Sequence, residues 1–266
     1  MFLGIDIGSS SSKTVLIDRD GAILGSEVVN IGTGTNGVDL ALDRLLNKTN
    51  VQKEQILYRV VTGYGRMTYQ EADKQITEIS CHAKGVAVLH PKARTVVDIG
   101  GQDAKAIQLD ANGAVENFIM NEKCAAGTGR FFEVMARVLN CSLEELADLA
   151  AKAAEYVPIS SICTVFAESE VISQLAGGAS LAAVARGAHV SVAKRVCGLV
   201  KRIRICPDVV MTGGVALNQA MANCLSQELE LPVVVLESPQ TVGALGAAIF
   251  AKEAYEKKHG LRGASL

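Results

Sequence analysis

The chain has 266 residues, 49% hydrophobic and 20% charged, with a formal net charge of −2. That is enough chain for one large domain or two medium ones with a buried core, and the balance excludes a basic binder of nucleic acid or anionic membrane. The N-terminal "MFLGIDIGSSSSKT" has no basic region ahead of an apolar run, and no apolar run approaches the ~18 residues of a membrane span, so a cytoplasmic protein with no membrane partner is expected.

Taken in chain order, "FLGIDIGSSSSKTVLI" (residues 2–17) reads as a strand, a glycine-rich bend and a second strand. A tight glycine turn and a third strand follow in "DRDGAILGSEVV". Periodicity and stop signals predict a helix over 37–48, a strand in "YRVVTG" (58–63) and a helix over 67–89. The pattern then starts again. "RTVVDIGGQDAKAIQL" (94–109) repeats the opening, with Asp98-Ile99-Gly100 matching Asp6-Ile7-Gly8. Lys13 and Lys105 each stand seven residues after the aspartate, and "KAIQLDANGAVENFIM" matches "KTVLIDRDGAILGSEVV". Helices are predicted over 129–139, 142–153, 164–176 and 180–203. A third strand-glycine turn, "DVVMTGGVALN" (208–218), leads into a helix over 216–229, then a strand in "PVVVLE" (232–237) and a helix over 241–258. The closing "KKHGLRGASL" reads as a solvated tail. Hairpins followed by crossovers, twice over, make an α/β chain with mixed sheets.

The two "DIG" bends carry chemistry. A strand ending in Asp-Ile-Gly sets a carboxylate at the mouth of a sheet, where Mg²⁺ can sit. Glycine lets backbone approach a phosphate, and successive N–H groups form an anion-binding nest. Ser9, Ser10, Ser11 and Ser12 add hydroxyls, and Lys13 adds a point charge. Asp98, Gly100, Gly101, Gln102 and Lys105 repeat the set. Two such bends would clasp a polyphosphate such as ATP or ADP; one alone reads as a hairpin without a ligand. Neither a GxxxxGK[ST] loop nor a strand-GxGxxG loop is present. Asp6 and Asp98 are the candidates to hold Mg²⁺ through waters, and Gln102 or Asp103 to orient the attacking water. The plain alternative for Asp103 is a strand-end residue bonding its turn, and for Lys105 a solvated lysine. "TGYGR" (62–66) reads as a strand-end turn with an exposed Arg66, or as a loop that docks a partner. His82 reads as packing.

Seven cysteines, at 81, 124, 141, 163, 197, 206 and 224, cannot all pair and show no CxxC spacing, so free buried thiols are the plain reading. Cys124 and Cys163 stand apart because each precedes a predicted helix, whose dipole and free N–H groups favour a thiolate. Cys81, Cys197 and Cys224 fall inside helical patterns, Cys141 in a short link and Cys206 before a proline. Two thiolates are half the complement of a [4Fe–4S] cluster, and a two-fold dimer would supply four. From spacing alone, two unreactive thiols remain the simpler reading.

The three glycine turns resemble the actin, Hsp70 and sugar-kinase superfamily of ATPases. That resemblance implies a two-lobed actin-like fold, each lobe an RNase-H-like mixed sheet with flanking helices. It implies one lobe over 1–92 joined by the C-terminal helix from about 245 to 266, and a second over 93–244 carrying the cysteines. It assigns "VVMTGGVALN", with Gly213, Gly214 and Asn218, to the adenosine, and brings Gln240 and Gly243 of "ESPQTVGALGAAIFA" near the nucleotide. More closely, "NEKCAAGTGRF", "ISSICTVFAESEVISQ", "TGYGR" and "DIGGQDAK" resemble the activator component of (R)-2-hydroxyacyl-CoA dehydratases, and the related ATPase subunits of benzoyl-CoA reductase, from residue 3 to about 258. This implies a homodimer bridged by one [4Fe–4S] cluster on Cys124 and Cys163. It also implies ATP-driven transfer of one electron from ferredoxin or flavodoxin into a dehydratase held in a transient complex. Gly127 and Gly129 would then lie close to the nucleotide. Two other functions use the same loops: a sugar-type small-molecule kinase, and a nucleotide-dependent scaffold without a cluster.

Overall fold

The structure is a computed structural model and describes residues 1–121, 124–160 and 163–261. The chain divides into two units. The first comprises Met1–Lys92, Leu109–Val115 and the chain from Gln240 on; the second comprises Ala93–Gln108 and Glu116–Pro239. In chain order the elements are β1 (Phe2–Ile7), β2 (Ser12–Ile17), β3 (Ile23–Val29), α1 (Gly37–Thr49), β4 (Tyr58–Thr62), β5 (Lys74–Gln75) and α2 (Glu78–Leu89). Then come β6 (Thr95–Ile99), β7 (Ala104–Leu109), β8 (Val115–Asn121), α3 (Gly129–Val138), α4 (Leu143–Lys152), α5 (Thr164–Ala176) and α6 (Leu181–Val200). β9 (Val209–Thr212), α7 (Gln219–Leu229) and β10 (Val233–Val235) complete the second unit, and α8 (Val242–Lys258) belongs to the first.

Each unit holds one five-stranded mixed sheet, in the orders β3-β2-β1-β4-β5 and β8-β7-β6-β9-β10. β1 pairs antiparallel with β2 and parallel with β4; β6 pairs antiparallel with β7 and parallel with β9. The two sheets therefore repeat one topology, as the duplicated sequence requires. The repeat extends to single hydrogen bonds. The first bend closes with Gly8 N–H to Ser11 O at 3.0 Å, the second with Gly100 N–H to Asp103 O at 2.9 Å. In the next turns Asp18 and Asp110 accept the N–H groups of Ala22 and Ala114 through Oδ1.

Burial follows the pleat. Leu3, Ile5 and Ile7 of β1 point to a cluster with Val38, Leu42 and Leu45 of α1. Phe2 points the other way, into a cluster with α8. A strand covered on both faces reads as a continuous apolar run, and β1 does. On the α8 side the approach is at backbone distance. A Cβ on Gly4 would lie 1.9 Å from Ala244 O, and one on Gly246 1.8 Å from Cys81 O of α2. The second unit has one continuous core, in which Phe131, Phe132 and Met135 of α3 meet Ala167 and Val171 of α5 and the apolar face of α6.

The structure departs from the expected elements in four places. The helix expected over 67–89 is a 3₁₀ turn (Arg66–Thr68), the short β5 and then α2. Asp73 Oδ2 accepts Arg59 N–H at 2.7 Å and draws this segment onto β4, and Thr77 caps α2 by accepting Ser80 N–H. The helix expected from 216 starts at Gln219, because Asn218 is its cap and Gly214–Leu217 form a 3₁₀ turn. The strand expected over 232–237 shortens to Val233–Val235. The expected tail begins later, since Lys257 and Lys258 end α8; residues 262–266 lie outside the described residues. Among the described residues no helix is long and apolar enough to cross a membrane.

Because the atoms facing Gly4 and Gly246 are backbone, an added methyl cannot be absorbed by a rotamer change. Gly4→Ala and Gly246→Ala are each expected to lower stability by about 1–3 kcal/mol, read as a lower urea midpoint.

Candidate functional site

In the first unit the β1–β2 bend presents Gly8, Ser9, Ser10 and Ser11, with Asp6 and Lys13 opposite one another on the flanking strands. Asp6 is buried, and its Oδ2 lies 3.1 Å from Lys13 Nζ. Its Oδ1 is buried with no hydrogen-bond partner among the described residues. Ser12 differs from the other serines: its hydroxyl is buried and donates to Ile31 O at 2.8 Å, which spends it on the fold. Two further segments converge on Asp6. Gly63, directly after β4, has φ +88°, and a Cβ there would lie 2.4 Å from Asp6 Oδ1. Gly243, in the first turn of α8, would bring a Cβ to 3.4 Å from Asp6 Oδ2 and 2.8 Å from His82 Nε2. Gln240 lies just ahead of that helix and is half-buried. His82 is buried. Arg66, expected to be exposed, is half-buried and donates to Gly63 O at 3.1 Å.

The second unit builds the same arrangement on the β6–β7 bend. Lys105, for which a solvated lysine was the plain alternative, has a side chain only 1% exposed. It lies 3.2 Å from Asp98 Oδ2 and 2.8 Å from Asp103 Oδ2. Thr212, at the end of β9, donates to Asp98 Oδ1 at 2.9 Å, and Gly213 follows it with φ +88°. Gln102 is exposed at the bend, while Gly100 and Gly101 are half-buried. Exposed Gly214 opens a 3₁₀ turn (Gly214–Leu217) that buries Val215 and Ala216 and leads to Asn218, whose side chain caps α7.

In the sequence "VVMTGGVALN" reads as a third turn, and "TGYGR" stands apart from it. In the structure they are one feature used twice. Thr62 stands opposite Asp6 and Thr212 opposite Asp98, each followed by a glycine with positive φ. The signal was present: Val60-Val61-Thr62-Gly63 matches Val210-Met211-Thr212-Gly213.

Both cysteines singled out by the sequence are free and half-exposed. Cys163 is the N-cap residue of α5, and its carbonyl accepts Ala167 N–H. Cys124 lies earlier relative to its helix, since α3 starts at Gly129 with Thr128 as its cap. Asn121 Nδ2 donates to Cys124 O at 3.1 Å. The first N–H groups of α3 do not face the thiol. Gly129 donates to Gly100 O at 2.9 Å and Arg130 to Gly101 O at 2.8 Å, while the Thr128 hydroxyl lies 2.7 Å from Ala125 O and 3.1 Å from Gly101 O. A Cβ on Gly129 would lie 3.2 Å from Gly100 O, so this contact is close. Gly127, with φ +89°, instead packs under Arg195. The helices that follow the two cysteines pack on one another, and Arg137 of α3 pairs with Glu168 of α5 at 3.2 Å. Among the other five cysteines, burial pushes the Cys81 thiol up to about 12 and raises Cys141 and Cys224. Cys197 donates to Glu228 O.

The chain is 56% identical over 256 residues to an activator of lactoyl-CoA dehydratase from Anaerotignum propionicum, covering 96% of this chain and 99% of that one. It is 47% identical to the (R)-2-hydroxyglutaryl-CoA dehydratase activating ATPase of Acidaminococcus fermentans, over 94% of this chain and 96% of the relative. Among solved structures, the activator of the 2-hydroxyisocaproyl-CoA dehydratase from Clostridium difficile with bound ADPNP matches with a TM-score of 0.95 and 48% identity over the whole of both chains. The two mixed sheets with flanking helices are those of actin-like ATPases of the sugar-kinase and Hsp70 type. A family model matches residues 3–251, and the chain belongs to the BadF/BadG/BcrA/BcrD ATPase family.

Proposed function

We propose that this chain is the ATP-hydrolysing activator of a (R)-2-hydroxyacyl-CoA dehydratase. In this reading it is a homodimer that uses ATP to pass one low-potential electron from a ferredoxin or flavodoxin into the dehydratase. The relatives named above support the partner. The observation that carries the coupling is the pair of hydrogen bonds from the Gly129 and Arg130 N–H groups to the carbonyls of Gly100 and Gly101. They tie a phosphate-type bend directly to the helix that follows Cys124, so a nucleotide that shifts the bend shifts that helix.

Residues of both bends take roles in nucleotide chemistry. Asp6 fits a Mg²⁺ site: one oxygen is held by Lys13, and the other is a buried acceptor without a partner among the described residues, free to accept from a metal-bound water. Backbone N–H groups and hydroxyls of Ser9, Ser10 and Ser11 fit the phosphates. Of the two candidates for orienting water, Gln102 is the better. It is exposed at the bend, whereas the Asp103 carboxylate is committed to Lys105. Gly213, Gly214 and Asn218 form the turn read as the adenosine site.

Cys124 and Cys163 fit two ligands of a shared cluster: both are free and half-exposed, and each stands just ahead of one of two packed helices. A bound [4Fe–4S] cluster supplies a one-electron carrier. A second copy of the chain would bring the other two thiolates and cover the apolar side chains of Val165 and Phe166, each 67% exposed directly after Cys163. A sugar-type kinase is not favoured, since the relatives at 47–56% identity are dehydratase activators and an activating ATPase.

Anaerobically purified protein is expected to be brown with about four irons per dimer. Cys124→Ser and Cys163→Ser should each lose the iron while still binding ADPNP; either variant keeping wild-type iron and colour removes the cluster assignment. Gln102→Ala is expected to lower the ATPase kcat by about 10–100-fold with little change in nucleotide Kd, and an unchanged kcat would remove its role.

A further inference from the structure

His189 is a fully buried histidine on α6 that the nucleotide bends do not use. Its Nδ1 lies 2.8 Å from Ala185 O, and its Nε2 lies 2.8 Å from Asn218 Nδ2. A carbonyl can only accept, so Nδ1 carries the proton and Nε2 is the acceptor. The Asn218 amide cannot be turned round, because its Oδ1 accepts Met221 N–H at 3.0 Å and caps α7. Every partner in this chain is satisfied only when the imidazole is neutral. Burial holds the His189 pKa below its ordinary value of 6.5, against the opposing effect of its two hydrogen bonds. Arg186, on the same helix, is the charged group that acts on it; α3 presents Phe132, whose ring centroid lies 4.8 Å away, and the turn presents Asn218.

The Gly213–Asn218 turn is thus held at both ends. Near its start, Thr212 donates to Asp98 and Gly213 N–H to Pro239 O; at its end, Asn218 is held by the imidazole. We propose that His189 is a positioning residue for the nucleotide: a neutral imidazole that fixes Asn218, and with it the far end of the Gly213–Asn218 turn, against α3 and α6. This rests on the reading of that turn as nucleotide-binding.

The test is calorimetric titration of the anaerobically purified dimer with ADPNP and Mg²⁺ between about pH 5.5 and about pH 8, spanning the ordinary histidine range. In the wild type, protonation breaks the bond to Asn218, so affinity is constant at the upper end and falls only as pH drops through the His189 pKa, which burial sets below 6.5. Asn218→Asp keeps size and helix cap but faces Nε2 with an acceptor. A neutral ring can donate to it only by turning an Nδ1 lone pair toward Ala185 O, and both bonds form only with a protonated imidazole, so its affinity should be about tenfold weak at high pH and recover toward acid, the reverse of the wild type. His189→Phe keeps a ring against Phe132 and removes the acceptor; affinity should be about tenfold weak throughout, with the acid-dependent fall gone. If His189→Phe does not fold, Asn218→Asp decides. Gly214→Trp, at the exposed start of the turn, checks the underlying reading. An unchanged Kd there means the turn does not bind nucleotide, and the proposal falls with it. Loss of binding in Gly214→Trp, with wild-type affinity and pH profile in Asn218→Asp, overturns the positioning role alone.

Discussion

A lysine buried between two carboxylates sets the geometry of the second unit. Removing an ammonium group from water costs several kcal/mol unless it is paired, and Asp98 and Asp103 together pair Lys105. Their placement fixes the hairpin register, because a slip of one residue would move Lys105 to the opposite face. With the register fixed, Gly100 N–H closes the bend on Asp103 O, and the carbonyls of Gly100 and Gly101 are left pointing at α3. The position of α3, and so of the segment carrying Cys124, depends on that bend. Deleting one member of such a buried group leaves a charge unpaired, which typically costs about 3–5 kcal/mol.

Much of this was legible in the sequence, because it was written twice. The seven-residue spacing from aspartate to lysine is the register of a four-residue hairpin bend, and both copies form it. Strong helix signals also held: α5 spans the predicted 164–176, and Ser142 and Glu145 form the capping box that starts α4. Periodicity failed over 67–89, where Asp73 and Thr77 use side-chain hydrogen bonds to divert an apolar pattern into a short strand and a late helix. The link from the bend to α3 could not have been read at all. It is made mostly by backbone groups of Gly100, Gly101, Gly129 and Arg130, and backbone hydrogen bonds leave no residue signature. His189 was missed for a related reason: a lone histidine in an apolar helix has no partner in sequence, and Asn218 lies 29 residues away.

The cysteines divide by environment rather than by spacing. Cys81 and Cys224 are buried, Cys141 is half-buried, and desolvation lifts all three thiols away from the thiolate form. Cys124 and Cys163 are half-exposed, Cys163 as the cap of α5 and Cys124 in the segment that leads to α3. Their surroundings differ, however. α5 begins directly at Cys163, whereas the first donors of α3 are engaged by the bend, so the two thiols do not share one helix-dipole environment. Any effect of α3 on Cys124 therefore passes through the position of the helix rather than through free N–H groups aimed at the sulfur.

The two copies of the bend have diverged in one respect that assigns them different work. Each has an aspartate at a strand end, a lysine opposite it, and a threonine and glycine from the next parallel strand. Around Asp98 the set is saturated: Thr212 takes Oδ1 and Lys105 takes Oδ2, with Asp103 as a second counter-charge. Around Asp6 the set is open. Lys13 takes Oδ2, but the buried Oδ1 has no partner among the described residues. A buried carboxylate oxygen with an unused lone pair costs free energy in the ligand-free protein and recovers it when a donor arrives. A saturated carboxylate gains nothing from a ligand and stiffens what surrounds it. The duplication thus leaves Asp98 to hold the frame that carries α3, and leaves Asp6 with a buried acceptor still open to a donor. The sequence, which presents the two aspartates as equals, gives no means of telling them apart.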